Sequence, residues 1–290
     1  QLDQYRHIYK NGDRTWHRND AFIDEEGHAT DLIAADAVRV IETKRDQPFF
    51  LWVAFSVPHY PVQEEERWTR LYEGKIENAS RRAYAASLTH MDDAIGKIVA
   101  ALDRTGQREN TLLIFTSDNG GQQSWSSKTD YDGRFEPNPV LGNNEPLRGW
   151  KGDLFEGGVR VPALASWPGF LKPGDVLAPI ATVDWLPTIV HLAGGKTTDD
   201  LQLDGHNVWP ILVDEQRDLS EPRSLYWKVP GGQAVIVGEW KLIVPRNQPE
   251  SAQLFNSAND PYEKQDLAAE QPDRVSQLRK ELQSLAQRDK

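Results

Sequence analysis

The chain has 290 residues and a formal net charge of −11, from 33 Lys and Arg against 44 Asp and Glu. That balance argues against a nucleic-acid or anionic-membrane surface, because phosphate binding needs clustered cations, and an anionic substrate would have to be captured by local cations or a metal. With 38% hydrophobic residues, 10 Trp and no Cys, the composition is that of a globular protein without disulfides or thiolate metal sites, and no apolar run approaches the ~20 residues of a membrane span.

The chain opens at Gln1 without a basic region followed by an apolar stretch, so it is expected to be a processed form or a fragment. Thr30 is the predicted cap of a helix running to about Lys44, with Leu32, Ile33, Ala37, Val40 and Ile41 on one face. Phe49 to Phe55 is a continuous apolar run that suits a strand covered on both faces. It ends in Ser56-Val-Pro-His-Tyr-Pro61, a loop stiffened by two prolines. From about Ser80, Tyr84, Leu88, Met91, Ile95, Ile98 and Leu102 recur at steps of three and four, and Gly106 stands where a helix stops. Thr111 to Thr116 reads as a second buried strand, ending in Ser117-Asp-Asn-Gly-Gly121. The long polar loop 122–145 suggests function or disorder. A short strand over 162–166 and a short helix over 183–193 follow.

Helix and strand alternate as in a doubly wound, mostly parallel sheet flanked by helices, an α/β architecture assigned to residues 1–214. After Asp214 the pattern changes to short strands at 224–228, 233–237, 241–244 and 253–255, then a polar amphipathic helix from about Asp273 to Gln287. Residues 215–290 therefore read as a small antiparallel sheet with one packed helix.

Ligands in doubly wound sheets bind beyond the carboxyl ends of strands. Asp118-Asn119 stands at such an end, and its carboxylate and carboxamide oxygens suit Ca²⁺ or Mg²⁺; the same residues also make an ordinary β-turn. His59, held between Pro58 and Pro61, is either a site residue or an incidental loop histidine. Lys151 lies among glycines with Arg148 and Arg160 nearby, so it is either a point charge for a tetrahedral anion or a solvated surface lysine.

The order of these segments resembles the sulfatase family, of arylsulfatase type, within the alkaline-phosphatase-like superfamily. The stretch from Pro48 to Pro61 looks like the strand leading to that family's substrate-binding His, and Thr111 to Gly121 like the segment ending in its Asp-Asn metal pair. Pro146 to Pro162 is similar to the segment that holds its active-site Lys. Thr182 to Pro187, Leu203 to Gly205, Glu239 to Leu242, and Leu254 to Asn256 with Asp260-Pro261 match its C-terminal landmarks, so the likeness runs from about residue 28 to the end.

The resemblance implies hydrolysis of a sulfate ester, on an aryl compound or carbohydrate, by a hydrated formylglycine with one calcium ion. Asp118 and Asn119 would be metal ligands, and Lys151 and His59 catalytic groups at the sulfate. Arg148, with Trp125 and Arg134 from the long loop, would contact the substrate. The family's Cys/Ser-x-Pro-x-Arg motif and its upstream metal Asp pair are not found here, so the chain is expected to be the C-terminal part of the enzyme, inactive without its N-terminal half. Asp92-Asp93 is not that pair, because it falls inside a helix. The family suggests a periplasmic, extracellular or lysosomal location. A two-zinc phosphatase or phosphodiesterase is the neighbouring alternative, but it carries His where Asn119 stands. A non-catalytic, glycan-binding sulfatase-like protein is the other.

Overall fold

The computed structural model describes residues 2–198, 201–213 and 223–289. They fall into two compact units, Gln1–Thr111 with Gly121–Asn143, and Leu112–Gly120 with Asn144–Lys290. The boundary expected at Asp214 lies outside the described residues.

In the first unit a short ladder of β1 (His17–Arg18) and β2 (Ala21–Phe22) precedes helix α1 (Ala29–Glu42), the single turn α2 (Glu66–Thr69) and the long α3 (Ala79–Arg104). His28 caps α1, not Thr30: the His28 Nδ1 accepts the Thr30 N–H at 3.2 Å, and Thr30 is buried in the first turn. The Asn78 side chain caps α3 through the Arg81 N–H, and the helix ends before Gly106, which has φ +68. The buried stripe of α3 runs through Ala86, Ser87, His90, Ala94, Ile98 and Leu102 rather than through Tyr84, Leu88 and Met91. These small side chains permit a close approach to α1, whose own buried residues are Ala29, Thr30, Ala34, Ala37 and Ile41.

The run from Phe49 to Phe55 is extended but joins no ladder. Phe49, Leu51, Val53 and Phe55 pack onto Ala37, Ile41, Ile98 and Leu102. The alternate residues Phe50 and Trp52 are 70% and 80% exposed. The expected cover on both faces is therefore corrected to one: within this unit α1 and α3 pack on one side, and the side chains of the other are exposed.

The second unit holds β3 (Leu113–Thr116), paired antiparallel with β4 (Ala163–Ser166), the single turn α4 (Glu156–Val159), α5 (Trp185–Leu192) and α6 (Trp209–Val213). Asp184 anchors the start of α5: it accepts the Ala181 and His206 N–H groups and, out of solvent, a two-pronged Arg223 guanidinium at 2.5 and 2.7 Å. Strands β5 (Ser224–Val229), β6 (Gly232–Val237), β7 (Trp240–Pro245) and β8 (Gln253–Asn256) then form one antiparallel meander, and α7 (Pro272–Arg288) follows. Alternation puts Val235, Leu242 and Leu254 against Leu278 and Leu282 of α7. The opposite face sends Ala234, Ile243 and Phe255 against Leu154 and Phe155. The fold is α/β with this small C-terminal antiparallel sheet and its helix, and every ladder among the described residues is antiparallel.

Candidate functional site

The Asp118-Asn119 turn at the end of β3 is held by its own backbone. Ser117 Oγ donates to the Asn119 carbonyl at 2.9 Å, and Asn119 Nδ2 donates to the Gly120 carbonyl at 3.0 Å. Spending Nδ2 in this way leaves Oδ1 as the end of the carboxamide that can meet a cation. Asp118 is exposed beside it. The Gly120 N–H donates to the Gly158 carbonyl at 3.0 Å, and a Cβ at position 120 would stand 1.8 Å from the Gly157 oxygen. Only glycine permits this seam.

The other side of the seam is the loop carrying Lys151. The Gly157 N–H donates to the Arg148 carbonyl at 2.6 Å, closing the loop on itself, and Asp153 accepts the Trp150 N–H at 2.8 Å. Lys151 is half-buried at the tip. Arg148 lies with its guanidinium 3.9 Å from the Phe155 ring centre and donates to the Glu263 carbonyl at 3.1 Å. Both contacts brace the loop at this end. Behind the loop is a buried ionic group: the Lys241 ammonium stands 2.7 Å from Glu156 Oε1 and 2.8 Å from Glu263 Oε1, and Glu263 Oε2 accepts the Glu156 N–H at 2.7 Å. The second ion pair is close but poorly aligned as a hydrogen bond. Burial raises the pKa of the Glu263 carboxyl above its ordinary value, against the opposing pull of Lys241.

Asp118, Asn119, Arg148 and Lys151 all belong to the second unit, and His59, Trp125 and Arg134 to the first. His59 Nδ1 donates to the Tyr60 carbonyl at 2.9 Å, which puts the lone pair of a neutral ring on Nε2. Tyr60 stacks on Trp125 at 4.5 Å. Trp125 is only 5% exposed, so its ring serves packing, and Arg134 reaches Asp3 at 3.4 Å and the Tyr131 carbonyl at 2.9 Å. The long loop is ordered around a Trp125–Asn138 bridge and a turn at Asp130–Gly133.

The first unit also contains His28, Glu64 and His90, whose ligand-type atoms lie within 4.8 Å of one another, a separation compatible with a metal ion. The hydrogen bonds favour an ion-pair cluster instead. His28 Nδ1 accepts from Thr30, so its proton is on Nε2 and goes to the Gln63 carbonyl at 2.8 Å. His90 faces Glu64 through Nδ1 at 2.8 Å and Asp31 through Nε2 at 3.1 Å, an arrangement that suits a doubly protonated ring. Burial pulls its pKa down, but the Glu64 and Asp31 carboxylates outweigh this and raise it. Burial instead lowers that of His28.

Comparison with known proteins decides the family. A sequence model described as sulfatase matches residues 3–195. The chain belongs to the sulfatase family. A second model, for the C-terminal part of N-sulphoglucosamine sulphohydrolase, matches residues 149–288 of this sulfatase chain. Arylsulfatase J of Mus musculus is 28% identical over 95% of the chain and 50% of its own length. A sulfatase of Formosa agariphila is 30% identical over 91% of the chain and 49% of its own. The chain thus spans about half the length of these curated relatives. Among solved structures, Ps i-CgsB in complex with k-i-k-neocarrahexaose superposes with a TM-score of 0.79 at 30% identity, covering 92% of this chain and 56% of that one. BT4656, bound to D-glucosamine-2-N,6-O-disulfate, shares the fold at 16% identity with a TM-score of 0.70, over 93% of this chain and 71% of that one. No helix among the described residues is long and apolar enough to cross a membrane.

Sequence reasoning missed the Lys241 group and the set of His28, Glu64 and His90. For Lys241 a signal existed: a period of two in β7 puts it on the same face as Ile243, which is a core face. For His28, Glu64 and His90, successively 36 and 26 residues apart along the chain, no local pattern marks the set.

Proposed function

We propose that the protein containing this chain is a calcium-assisted sulfuric ester hydrolase acting on a sulfated carbohydrate, and that this chain contributes Asp118, Asn119, Lys151 and His59 to its site. The observation that carries the reading is the glycine seam, where Gly120 meets Gly157 and Gly158 and the oxygen-bearing turn abuts the lysine loop. The donors fit the metal: a carboxylate and a carboxamide oxygen are hard ligands, as calcium requires, and neither is an imidazole or thiolate that would select zinc. Calcium takes about 6–8 oxygens, so the reading assigns the remaining ligands and the formylglycine to a part of the protein beyond this chain's matched half. A calcium ion bound there supplies Lewis-acid polarisation of the sulfate oxygens.

In this reading the Lys151 ammonium binds a sulfate oxygen and offsets the charge that grows on the transferring group, against the −11 field of the whole chain. His59 holds its Nδ1 proton on the Tyr60 carbonyl, and in this reading its imidazole accepts or returns a proton at the leaving oxygen. The preference for a carbohydrate draws on Ps i-CgsB, 30% identical and solved in complex with k-i-k-neocarrahexaose.

The test is sulfate release by the whole protein from aryl sulfates and from carrageenan and glucosamine-sulfate oligosaccharides, with Lys151→Ala alongside. The variant is expected to lose about 10²–10³ in turnover, the scale for one preorganised charge-stabilising group. A variant within twofold of wild type would reduce Lys151 to a surface residue. The 290-residue chain on its own is expected to show no turnover and weak calcium affinity.

A further inference from the structure

We propose that Lys241, Glu156 and Glu263 are positioning residues: their buried ionic group fixes both ends of the loop that presents Lys151 and, through the glycine seam, the Asp118-Asn119 turn. The proposal rests on the functional reading above for its catalytic consequence, but its geometric claim stands on the second unit alone.

Glu263 receives both ends of the loop. Its carbonyl accepts the Arg148 guanidinium, where the loop begins, and its Oε2 accepts the backbone N–H of Glu156, where the loop ends. Its own backbone has φ 55, a left-handed conformation uncommon for a residue with a side chain, which the surrounding contacts must enforce. Lys241, on the core face of β7, joins the two carboxylates from below at 2.7 and 2.8 Å and is fully buried. Residues 149–155 hang between the pinned ends, with Leu154 and Phe155 packed on the sheet. The residue after Glu156 is Gly157, whose oxygen faces Gly120. A shift of Glu156 is therefore passed directly to the turn carrying Asp118 and Asn119.

Stability alone gives no reason for this group. Apolar residues of matching volume usually stabilise a buried position as well as an ion pair does or better, because desolvating the charges is expensive. What an apolar contact does not supply is direction. Three charged side chains, joined by the Lys241–Glu156 hydrogen bond, the Glu156 N–H to Glu263 Oε2 bond and the Lys241–Glu263 ion pair, specify one arrangement of the loop, and a catalytic lysine misplaced by about 1 Å can lose about 10²-fold in rate.

The experiment uses the whole protein with Lys241→Met, the charge-matched Lys241→Met/Glu263→Gln double variant, and Lys264→Met as an exposed control. Turnover, KM and hydrogen exchange of residues 147–160 and 117–121 are measured on each. The double variant, which leaves fewer unpaired charges, is expected to stay folded and yet lose about 10–100-fold in kcat with KM within about twofold, while exchange in both segments rises at least about tenfold. The control is expected to match wild type. If the single variant fails to fold, the double variant decides. Wild-type exchange in residues 147–160 of the double variant overturns the proposal, whatever the protein hydrolyses. Raised exchange with unchanged kcat overturns the positioning role. Should the wild type cleave no sulfate ester, raised exchange would still uphold the anchor while the functional reading fell.

Discussion

Two apolar extended segments, Phe49 to Phe55 and β7, look alike in sequence and end in opposite situations. In β7, Leu242 packs under α7 and Ile243 against Phe155 and its neighbours, so both faces are sealed and the strand is hydrogen-bonded on both edges. In the first segment, Leu51 and Val53 are held by α1 and α3, while Phe50 and Trp52 face outward and no described strand pairs with the backbone. Local hydrophobicity marks both as core material, and only the second is enclosed. An extended segment gains its stability from the layers that meet it, not from its own composition.

Five variants sharpen or break this contrast. The largest effect is expected from Leu242→Ala, which empties a fully buried site in the sealed sheet and should cost about 4 kcal/mol in urea unfolding. A loss under 1 kcal/mol would mean that the meander is not a rigid buttress. Next, His90→Gln removes the imidazolium between Glu64 and Asp31 and should cost about 3 kcal/mol at acid pH, as for breaking a buried pair. His90 has its pKa raised in the folded state, so its contribution is full below the unfolded value of 6.5 and fades as pH climbs through the folded value. The gap between variant and wild type should therefore narrow as pH rises. His28, with its pKa lowered, contributes in the opposite sense, and His28→Asn should lose less at low pH than at high pH. Matching slopes for the two variants would refute the assigned protonation states.

A smaller loss, about 2 kcal/mol, is expected from Gly120→Ala, because the new methyl meets the Gly157 oxygen and one of the two loops must move. A melting curve superimposable on wild type would show the seam to be slack. The smallest effect belongs to Trp52→Ser. On the open face it should change unfolding by no more than about 0.5 kcal/mol, yet it should reduce self-association of the chain in light scattering, since an exposed apolar edge invites pairing. A monodisperse wild-type chain would remove the reason for that expectation.

The sequence by itself determined the family, the order of the elements and the meander, because motif spacing, turn glycines and alternating apolar residues act locally. It placed Asp118, Asn119 and Lys151 on strand-end and loop positions for the same reason. Tertiary structure decided which stripe of α3 is buried, because Ala86, Ser87 and Ala94 win the interface by being small where Leu88 is larger. It also decided that Trp125 and Arg148 brace their own loops, and that Lys241 meets Glu156 and Glu263. Those pairings join residues 85 and 22 positions apart, and a buried charge shows in a sequence only as an ordinary charged letter until the partner that neutralises it has been brought alongside.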